Sequence, residues 1–309
     1  MSGAAGGLRD PKVLLPFILI TLIWSSTWIV IKGQLGPVPP IWSVAYRFLI
    51  ASAAMFAIAR IGGGGIALDR RGHALALTVG LLQFVGNYNF VYAAEQHVTS
   101  GLVAVVFALL IVPNAAFARA FFGTRVGARF AIGSAVALAG VALLFVQEIR
   151  AAAAAPDAVL TGLALTLGAV LAASASNVMQ VRDDVRARSI AAMLGWAMLY
   201  GGLFDGGLAF AWHGPPVFDG RAEYWAGLVY LSVVASSLAF WLYYRIIRAI
   251  GPASAAYSSV LIPIVAMAIS TVAEGYRWSP LAAAGGLLAL AGLVIALGAR
   301  RPVPTPVPD

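Results

Sequence analysis

The chain has 309 residues, of which 61% are hydrophobic and 10% charged, whereas about a quarter of the residues of a soluble domain are charged. This composition predicts a polytopic membrane protein and leaves no room for a separate soluble domain. Cysteine is absent and there are only three histidines, so we expect no disulfide, no metal site and no cofactor.

Ten segments are long and apolar enough to cross a membrane, since a spanning helix needs about 20 mostly apolar residues. They are 13–32, 41–60, 74–94, 98–119, 128–147, 159–182, 190–212, 224–247, 253–273 and 280–299. The first is a retained helix, because Trp24, Trp28 and Lys32 stand where a signal peptide would need small residues. The sequence therefore predicts an all-α membrane protein with ten transmembrane helices.

The basic residues fall unevenly on the two sides of the membrane. Fifteen lie on the side of the N-terminus and five on the other, which accounts for all 20. The five are Lys32, Arg47, Arg150, Arg221 and Arg277. The positive-inside rule then places both termini in the cytoplasm. The net charge of +8 reports this topology, so the expected partners are the lipid bilayer and a small-molecule substrate, and no nucleic acid.

One stretch occurs twice, from Gly80 to Gly140 and from Gly227 to Gly292. Pro113 and Pro263, and likewise Gly123 and Gly275, keep the same order at offsets of 150 (113 to 263) and 152 (123 to 275). This predicts two repeats, residues 1–150 with helices 1 to 5 and residues 151–309 with helices 6 to 10 and a disordered Pro-rich tail. Because five spans are odd, the second repeat must be inverted, an arrangement typical of secondary transporters with a central site.

The first helix reads Trp24-Ser25-Ser26-Thr27-Trp28 up to Lys32, followed by Pro39-Pro40 and Tyr46-Arg47-Phe48. With Glu274-Gly275 and the paired prolines, this resembles the EamA family of the drug/metabolite transporter superfamily, most closely the bacterial aromatic amino-acid exporters of the YddG type. One departure is Thr124, near the end of the fourth helix, where the family often has an acidic residue.

The resemblance implies that helices 1, 3, 4, 6, 8 and 9 surround a central cavity, with helices 2 and 7 outside them and 5 and 10 at the back. The sequence agrees, because helices 5 and 10 are rich in Gly and Ala, which suits close packing.

Polar and aromatic residues concentrate in the helices that this arrangement places centrally. The substrate-binding candidates are Trp24, Tyr46, Gln83, Asn87, Phe107, Asn114, Asn177, Ser237, Trp241, Tyr257 and Ser258. For any one of them a bond between helices, worth about 0.6 kcal/mol in a bilayer, is an equal alternative; for the set we favour substrate contact. Pro113 and Pro263 are predicted gating hinges, with plain packing kinks as the alternative.

Charged residues within the spans are costly unless paired or wet. Asp205 in the seventh helix is either a proton-coupling site or a residue that reaches the membrane surface. Arg47 and Glu274 are expected to form a structural charge pair.

We therefore expect a secondary transporter of the bacterial inner membrane, monomeric or homodimeric, that exports aromatic or large apolar amino acids by alternating access. Export of other metabolites or drugs, or lipid flipping, is the alternative on the same fold. An enzyme is not expected, because no cluster of acid, base or metal ligands appears at one depth.

Overall fold

The computed structural model describes residues 11–123, 126–151, 156–180, 189–243, 246 and 258–298. Over this part of the chain the fold is entirely helical, with ten helices when pieces separated only by a π-helical segment or two residues are counted as one. They are α1 (Pro11–Gln34), α2 (Pro40–Ile61), α3 (Arg70–Ala94), α4 (Ser100–Phe122), α5 (Ala128–Ala151), α6 (Pro156–Gln180), α7 (Ile190–His213), α8 (Ala222–Tyr243), α9 (Ser258–Ala273) and α10 (Pro280–Gly298). The predicted all-α class is confirmed. Tyr257, Thr124, residues 152–155 of the predicted linker and the predicted tail lie outside the described residues.

Eight of these helices are long and apolar enough to cross a membrane. The other two are α9, whose described part has 16 residues, and α7, which has 24 residues but contains Asp205 and several glycines. A count of ten spans thus remains a prediction, whereas a multi-pass membrane protein is established by the eight.

The two repeats end their fourth helix in the same way. Gly123 follows α4 with φ +66° and Gly275 follows α9 with φ +68°. A residue with positive φ just after a helix is most often glycine, because a side chain there is strained. These two glycines are the equivalent landmarks of the sequence repeat, so the repeat is visible in local backbone geometry.

Helices α5 and α10 pack backbone against backbone. A Cβ added to Gly140 would lie 2.2 Å from the backbone nitrogen of Ala289, and one added to Gly292 would lie 2.2 Å from that of Ala137. Helices in a bilayer associate through such close packing, because lipid tails already provide an apolar environment. The expected tight pairing of the fifth and tenth helices is present in the structure.

Both α3 and α8 contain a π-helical segment, Gly80–Asn87 in α3 and Tyr230–Leu238 in α8. In the second, the hydroxyls of Ser236 and Ser237 donate to backbone oxygens five residues earlier, those of Leu231 and Ser232. The segments start 150 residues apart (80 to 230), the offset of the prolines. π-Helical turns are rare and concentrate at functional sites, and the sequence analysis did not predict them.

The paired prolines have different consequences. In α4 the helix is interrupted at Leu109 and Leu110, and the N–H of Val112 donates to the Leu109 carbonyl that Pro113, lacking an N–H, leaves free. In α9, Pro263 lies inside the helix without interrupting it. A bend at Pro113 is therefore built into the fold.

Candidate functional site

A cavity of about 290 Å³ lies between six of the ten helices. Its wall takes residues from α1, α3, α4, α6, α8 and α9, and within the described ranges none from α2, α5, α7 or α10. These are the six helices that the family resemblance places around a central cavity. Small-molecule sites span about 300 to 1,000 Å³, so this cavity fits a compact molecule of amino-acid size.

The wall is aromatic on two sides and carries no formal charge. Trp28 packs against Phe107 with ring centroids 4.9 Å apart, and Trp24 lies 5.6 Å from Phe240 and 5.0 Å from Tyr243. Besides these aromatic residues, the wall has the polar residues Thr27, Gln83, Asn87, Tyr88, Asn177, Ser258 and Ser259. Among the described residues that form the wall there is no Asp, Glu, Lys, Arg or His. The cavity is therefore amphipathic and neutral.

The structure brings together seven of the residues that the sequence singled out. Trp24, Gln83, Asn87, Phe107, Asn177, Ser258 and Pro263 all lie on the cavity wall. Asn87 is the last residue of the π-helical segment of α3, and Asn177 faces the cavity from α6. Both residues line the same cavity.

Five other candidates do not line this wall. Tyr46 donates its hydroxyl to the carbonyl of Val217, 3.0 Å away, and stacks on Trp42 and Phe218. Ser237 is fully buried, and its hydroxyl lies 3.1 Å from the carbonyl oxygens of both Ser232 in its own helix and Ala51 in α2, between which its single hydrogen is shared. Both side chains are used between elements rather than at the cavity.

The remaining three are Trp241, Asn114 and Pro113. Trp241 is 38% exposed, while its neighbour Phe240 faces the cavity. The π-helical segment before it places one more residue in each turn, which rotates the rest of α8 relative to a regular helix. Asn114 and Pro113 lie beyond the wall, after the interruption of α4.

Three polar atoms of wall residues are buried without a hydrogen-bond partner. They are the indole Nε1 of Trp28, the side-chain oxygen Oε1 of Gln83 and Oδ1 of Asn87. Buried polar groups are almost always hydrogen-bonded in folded proteins. One donor and two acceptors beside the neutral cavity thus have no partner among the described residues.

Comparison with known proteins decides the family. The model of the EamA-like transporter family matches residues 12–146 and again residues 160–298. The chain belongs to this family. Its two matched stretches correspond to the two repeats found in the sequence, and the members of the family are membrane transporters rather than enzymes.

Individual relatives of this EamA-like transporter are distant. The chain is 33% identical over 123 residues to the protein of Escherichia coli named uncharacterized inner membrane transporter YedA, and 23% identical over 101 residues to protein PagO of Salmonella typhimurium. These matches span only 40% and 33% of the relatives' own lengths. A probable amino-acid metabolite efflux pump of Salmonella typhimurium is 24% identical over 90% of this chain and 92% of its own. The named inner membrane relatives support a bacterial inner membrane location.

A crystal structure shares the fold. It aligns with 93% of this chain and 96% of its own, with a TM-score of 0.66 and 19% identity. At this identity the similarity establishes the fold alone, and it covers nearly the whole EamA-like chain.

Asp205 of this transporter lies between α7 and α3, away from the cavity. It is fully buried, its Oδ1 accepts a hydrogen bond of 2.7 Å from Nδ2 of Asn89, and its Oδ2 has no partner. Its side chain points into the bundle towards α3.

Charged groups gather at the end of the bundle where α3 ends and α4 begins, which we call the Glu95 end. The expected pair of Arg47 and Glu274 is not formed: Arg47 donates to Ser236 Oγ, at 3.3 Å, and lies 4.4 Å from the ring centre of Tyr88. Glu274 accepts instead from Ser100 and Ser270. Each charge is therefore stabilised separately, Arg47 partly by a cation–π contact.

Three residues of interest are absent from the residues that the sequence singled out. Trp28 and Tyr243 were not proposed as site residues, although Trp28 belongs to the aromatic motif of α1 and could have been found there. Glu95 was missed because Glu95-Gln96-His97 reads as an ordinary polar loop between two helices. Its burial depends on packing between distant helices, which no local pattern reports.

Proposed function

We propose that this protein is a secondary transporter that exports small amphipathic metabolites without net charge, with zwitterionic amino acids bearing large apolar or aromatic side chains as the best fit. The observation that carries this proposal is the wall of the cavity, which combines aromatic rings with unpartnered neutral dipoles and holds no charged side chain. The similarity to a probable amino-acid metabolite efflux pump supports it.

The chemistry of the wall fits a zwitterion. The carbonyl oxygens of Gln83 and Asn87 suit an ammonium group, and the indole N–H of Trp28 suits a carboxylate. A cargo with net charge would need a counter-charge, because an uncompensated charge at membrane depth costs several kcal/mol. Aromatic rings on both sides then receive an apolar side chain.

The transport cycle follows from the proposed symmetry. Ten spans in two inverted repeats, with both termini in the cytoplasm, would alternately open the cavity at the Glu95 end, on the extracytoplasmic side, and at the opposite end. The interruption of α4 before Pro113 supports a hinge there. Pro263 lies on the wall within an uninterrupted α9.

Counterflow in proteoliposomes tests the proposal. Vesicles preloaded with unlabelled phenylalanine should take up labelled phenylalanine, and an excess of leucine or tryptophan should compete while arginine and glutamate should not. Asn87→Leu and Asn177→Leu should each lower exchange of every amino acid about tenfold, as expected for the loss of roughly 1.4 kcal/mol of binding.

The matched control is Gln147→Leu, which removes an amide from α5, a helix with no residue on the described wall. This variant should exchange normally. Exchange of nucleosides, or scrambling of labelled lipids, in the absence of amino-acid exchange would favour the alternative cargoes. Normal exchange by both asparagine variants, if folded and inserted, would refute the site.

A further inference from the structure

Glu95 is a buried carboxyl group that the cavity does not use. The residue has no solvent exposure, and neither of its carboxyl oxygens has a hydrogen-bond partner. An ionised carboxylate taken out of water without donors is strongly disfavoured, whereas the neutral acid is tolerated. The pocket around Glu95 thus suits a protonated carboxyl.

The charges nearby do not overturn this preference. Lys32 Nζ is directed at the backbone carbonyls of Glu95 and Val98, and Arg47 is directed at Ser236 and Tyr88. Burial raises the pKa of the Glu95 carboxyl well above its ordinary value, and Glu274 adds to the rise, although Lys32 and Arg47 oppose it.

The hydroxyl of Tyr92 is the remaining titratable neighbour on α3. It is buried and interacts electrostatically with both Arg47 and Glu95. Neither oxygen of the Glu95 carboxyl has a hydrogen-bond donor, so entry of water is what would let Glu95 ionise.

The position of Glu95 connects it to the cavity. Val91 of α3 lines the cavity, and Glu95 follows it by four residues towards the Glu95 end. On the neighbouring helices, Ile31 and Ala104 also line the cavity, and Lys32 and Ser100 lie closer to the Glu95 end. Glu95 therefore lies about one helical turn beyond the cavity. An opening of the cavity at the Glu95 end would bring water to this carboxyl.

We propose that Glu95 is a proton-binding site whose neutral form favours closure of the Glu95 end and whose ionised form favours its opening. The inference rests on the proposed alternating access. The closed state keeps water from the carboxyl and binds the proton, whereas the open state exposes the carboxyl to water and releases it. Protonation of Glu95 therefore favours closure, and closure raises the proton affinity of Glu95. The proton would leave to water on the side to which this end opens.

Infrared difference spectroscopy tests proton binding directly. Purified protein should show a carboxylic-acid carbonyl band that disappears as pH rises, and Glu95→Gln should lack this component. Glu223→Gln is the control, since Glu223 is an exposed carboxylate at the start of α8. Retention of the whole band in Glu95→Gln would overturn the assignment.

Cysteine labelling tests the linkage without any substrate. The native chain has no cysteine, so Val98→Cys, at a position 7% exposed, is the only thiol. Its labelling by a membrane-impermeant maleimide, relative to an exposed Gly220→Cys reference, should rise with pH by up to about tenfold per unit, the limit for one proton.

Adding Glu95→Gln to Val98→Cys should make the relative labelling low and independent of pH. An unchanged pH response in this double variant would refute the linkage, as would a flat response in Val98→Cys alone. If Glu95→Gln does not fold, the single variant Val98→Cys still tests the linkage: labelling that rises with pH supports it, and labelling that is independent of pH refutes it. Because labelling needs no cargo, absence of amino-acid exchange would refute the proposed function separately.

Discussion

Glu274, directly after α9, accepts hydrogen bonds from the backbone N–H of Ser100, the first residue of α4, at 3.2 and 3.1 Å. The contact joins the second repeat to the first at the Glu95 end. A carboxylate at a helix N-terminus satisfies N–H groups that have no partner within the helix and meets the positive end of the helix dipole. Close beside it, a Cβ added to Gly101 would lie 2.8 Å from that of Ser270. At this end the second repeat is therefore joined to the first by a helix cap and by close packing.

Removing the charge of this cap should loosen the Glu95 end. We expect Glu274→Gln to lower the free energy of unfolding in detergent by about 1 kcal/mol, the usual worth of a helix cap. It should also raise labelling of Val98→Cys in membranes. Glu223→Gln is the control, and stability and labelling equal to those of this control would show that the cap does not hold the end closed.

Selectivity for aromatic cargo should depend on the side of α8 that faces the cavity. Phe240 lies on the wall, whereas its neighbour Trp241 does not. We expect Phe240→Ala to lower exchange of phenylalanine and tryptophan by roughly tenfold, since burial of an aromatic ring is worth about 1.5 to 3 kcal/mol, and to affect alanine exchange less.

The neighbouring Trp241→Ala should leave the ratio of aromatic to small substrates unchanged. Competition assays with both variants at equal protein density measure this ratio. A larger effect of Trp241→Ala than of Phe240→Ala would mean that Trp241, and not Phe240, faces the cavity during transport. The rotation of α8 that the π-helical segment produces would then be absent from the transporting state.

The sequence sufficed for the elements but not for the phase of α8. Apolar length predicted ten helices with ends close to those observed, because exclusion from water is a property of composition along the chain. Ser237 and Trp241 are i and i+4 along α8 and would share one face of a uniform α-helix. The extra residue per turn in Tyr230–Leu238 turns the following helix by about 100°, which brings Phe240 and Tyr243 to the wall. Hydrogen bonding between residues i and i+5 leaves no mark in the apolar pattern.

The partners of the charged residues Arg47 and Glu274 could not be predicted from the sequence either. Arg47 and Glu274 were paired because both lay on the same side of the membrane, but depth along the bundle does not determine lateral neighbours. Each found hydroxyl, backbone or ring partners that are indistinguishable from packing residues in the sequence. By contrast, Gln83, Asn87 and Asn177 do lie on the wall, whereas the amide of Asn114 in α4 does not.

The stability of the protein should report the neutral state of Glu95. Its pKa is raised in the folded protein, chiefly by burial, so the group contributes stability that is fully present below the ordinary pKa of glutamate and is lost as pH rises through the folded value. We expect the wild type to lose thermal stability in detergent with rising pH, and Glu95→Gln to lose less. A parallel decline of both proteins would contradict a neutral Glu95 in the fold.

The inverted topology predicts which loops face outwards. Cysteines at Gly36 and Gly220 should react with an impermeant maleimide added to intact cells, and cysteines at Gly64 and Gly127 should react only after the membrane is permeabilised. Gly36, Gly127 and Gly220 are exposed, and Gly64 is partly exposed. At Gly36 the nearest atom to an added Cβ belongs to the flexible end of the Arg221 side chain. Equal labelling of the two pairs in intact cells would refute the inverted arrangement.

Asp205 is the second buried carboxyl to test for coupling, because its Oδ2 has no partner while Oδ1 is held by Asn89. Asp205→Asn keeps an oxygen for this bond and removes the titrating proton. If Asp205 carries a transported proton, net amino-acid flux should lose its response to an imposed pH gradient, while counterflow exchange persists.

Labelling of Val98→Cys in the same variant separates the two carboxyls. It should keep its pH dependence, since Glu95 is intact. A net flux that still follows the pH gradient would assign Asp205 to holding α3 against α7. In that case Asn89→Leu should lower the free energy of unfolding by about 1 to 3 kcal/mol, the cost of leaving a buried polar group unsatisfied. Glu95 would then remain as the coupling group.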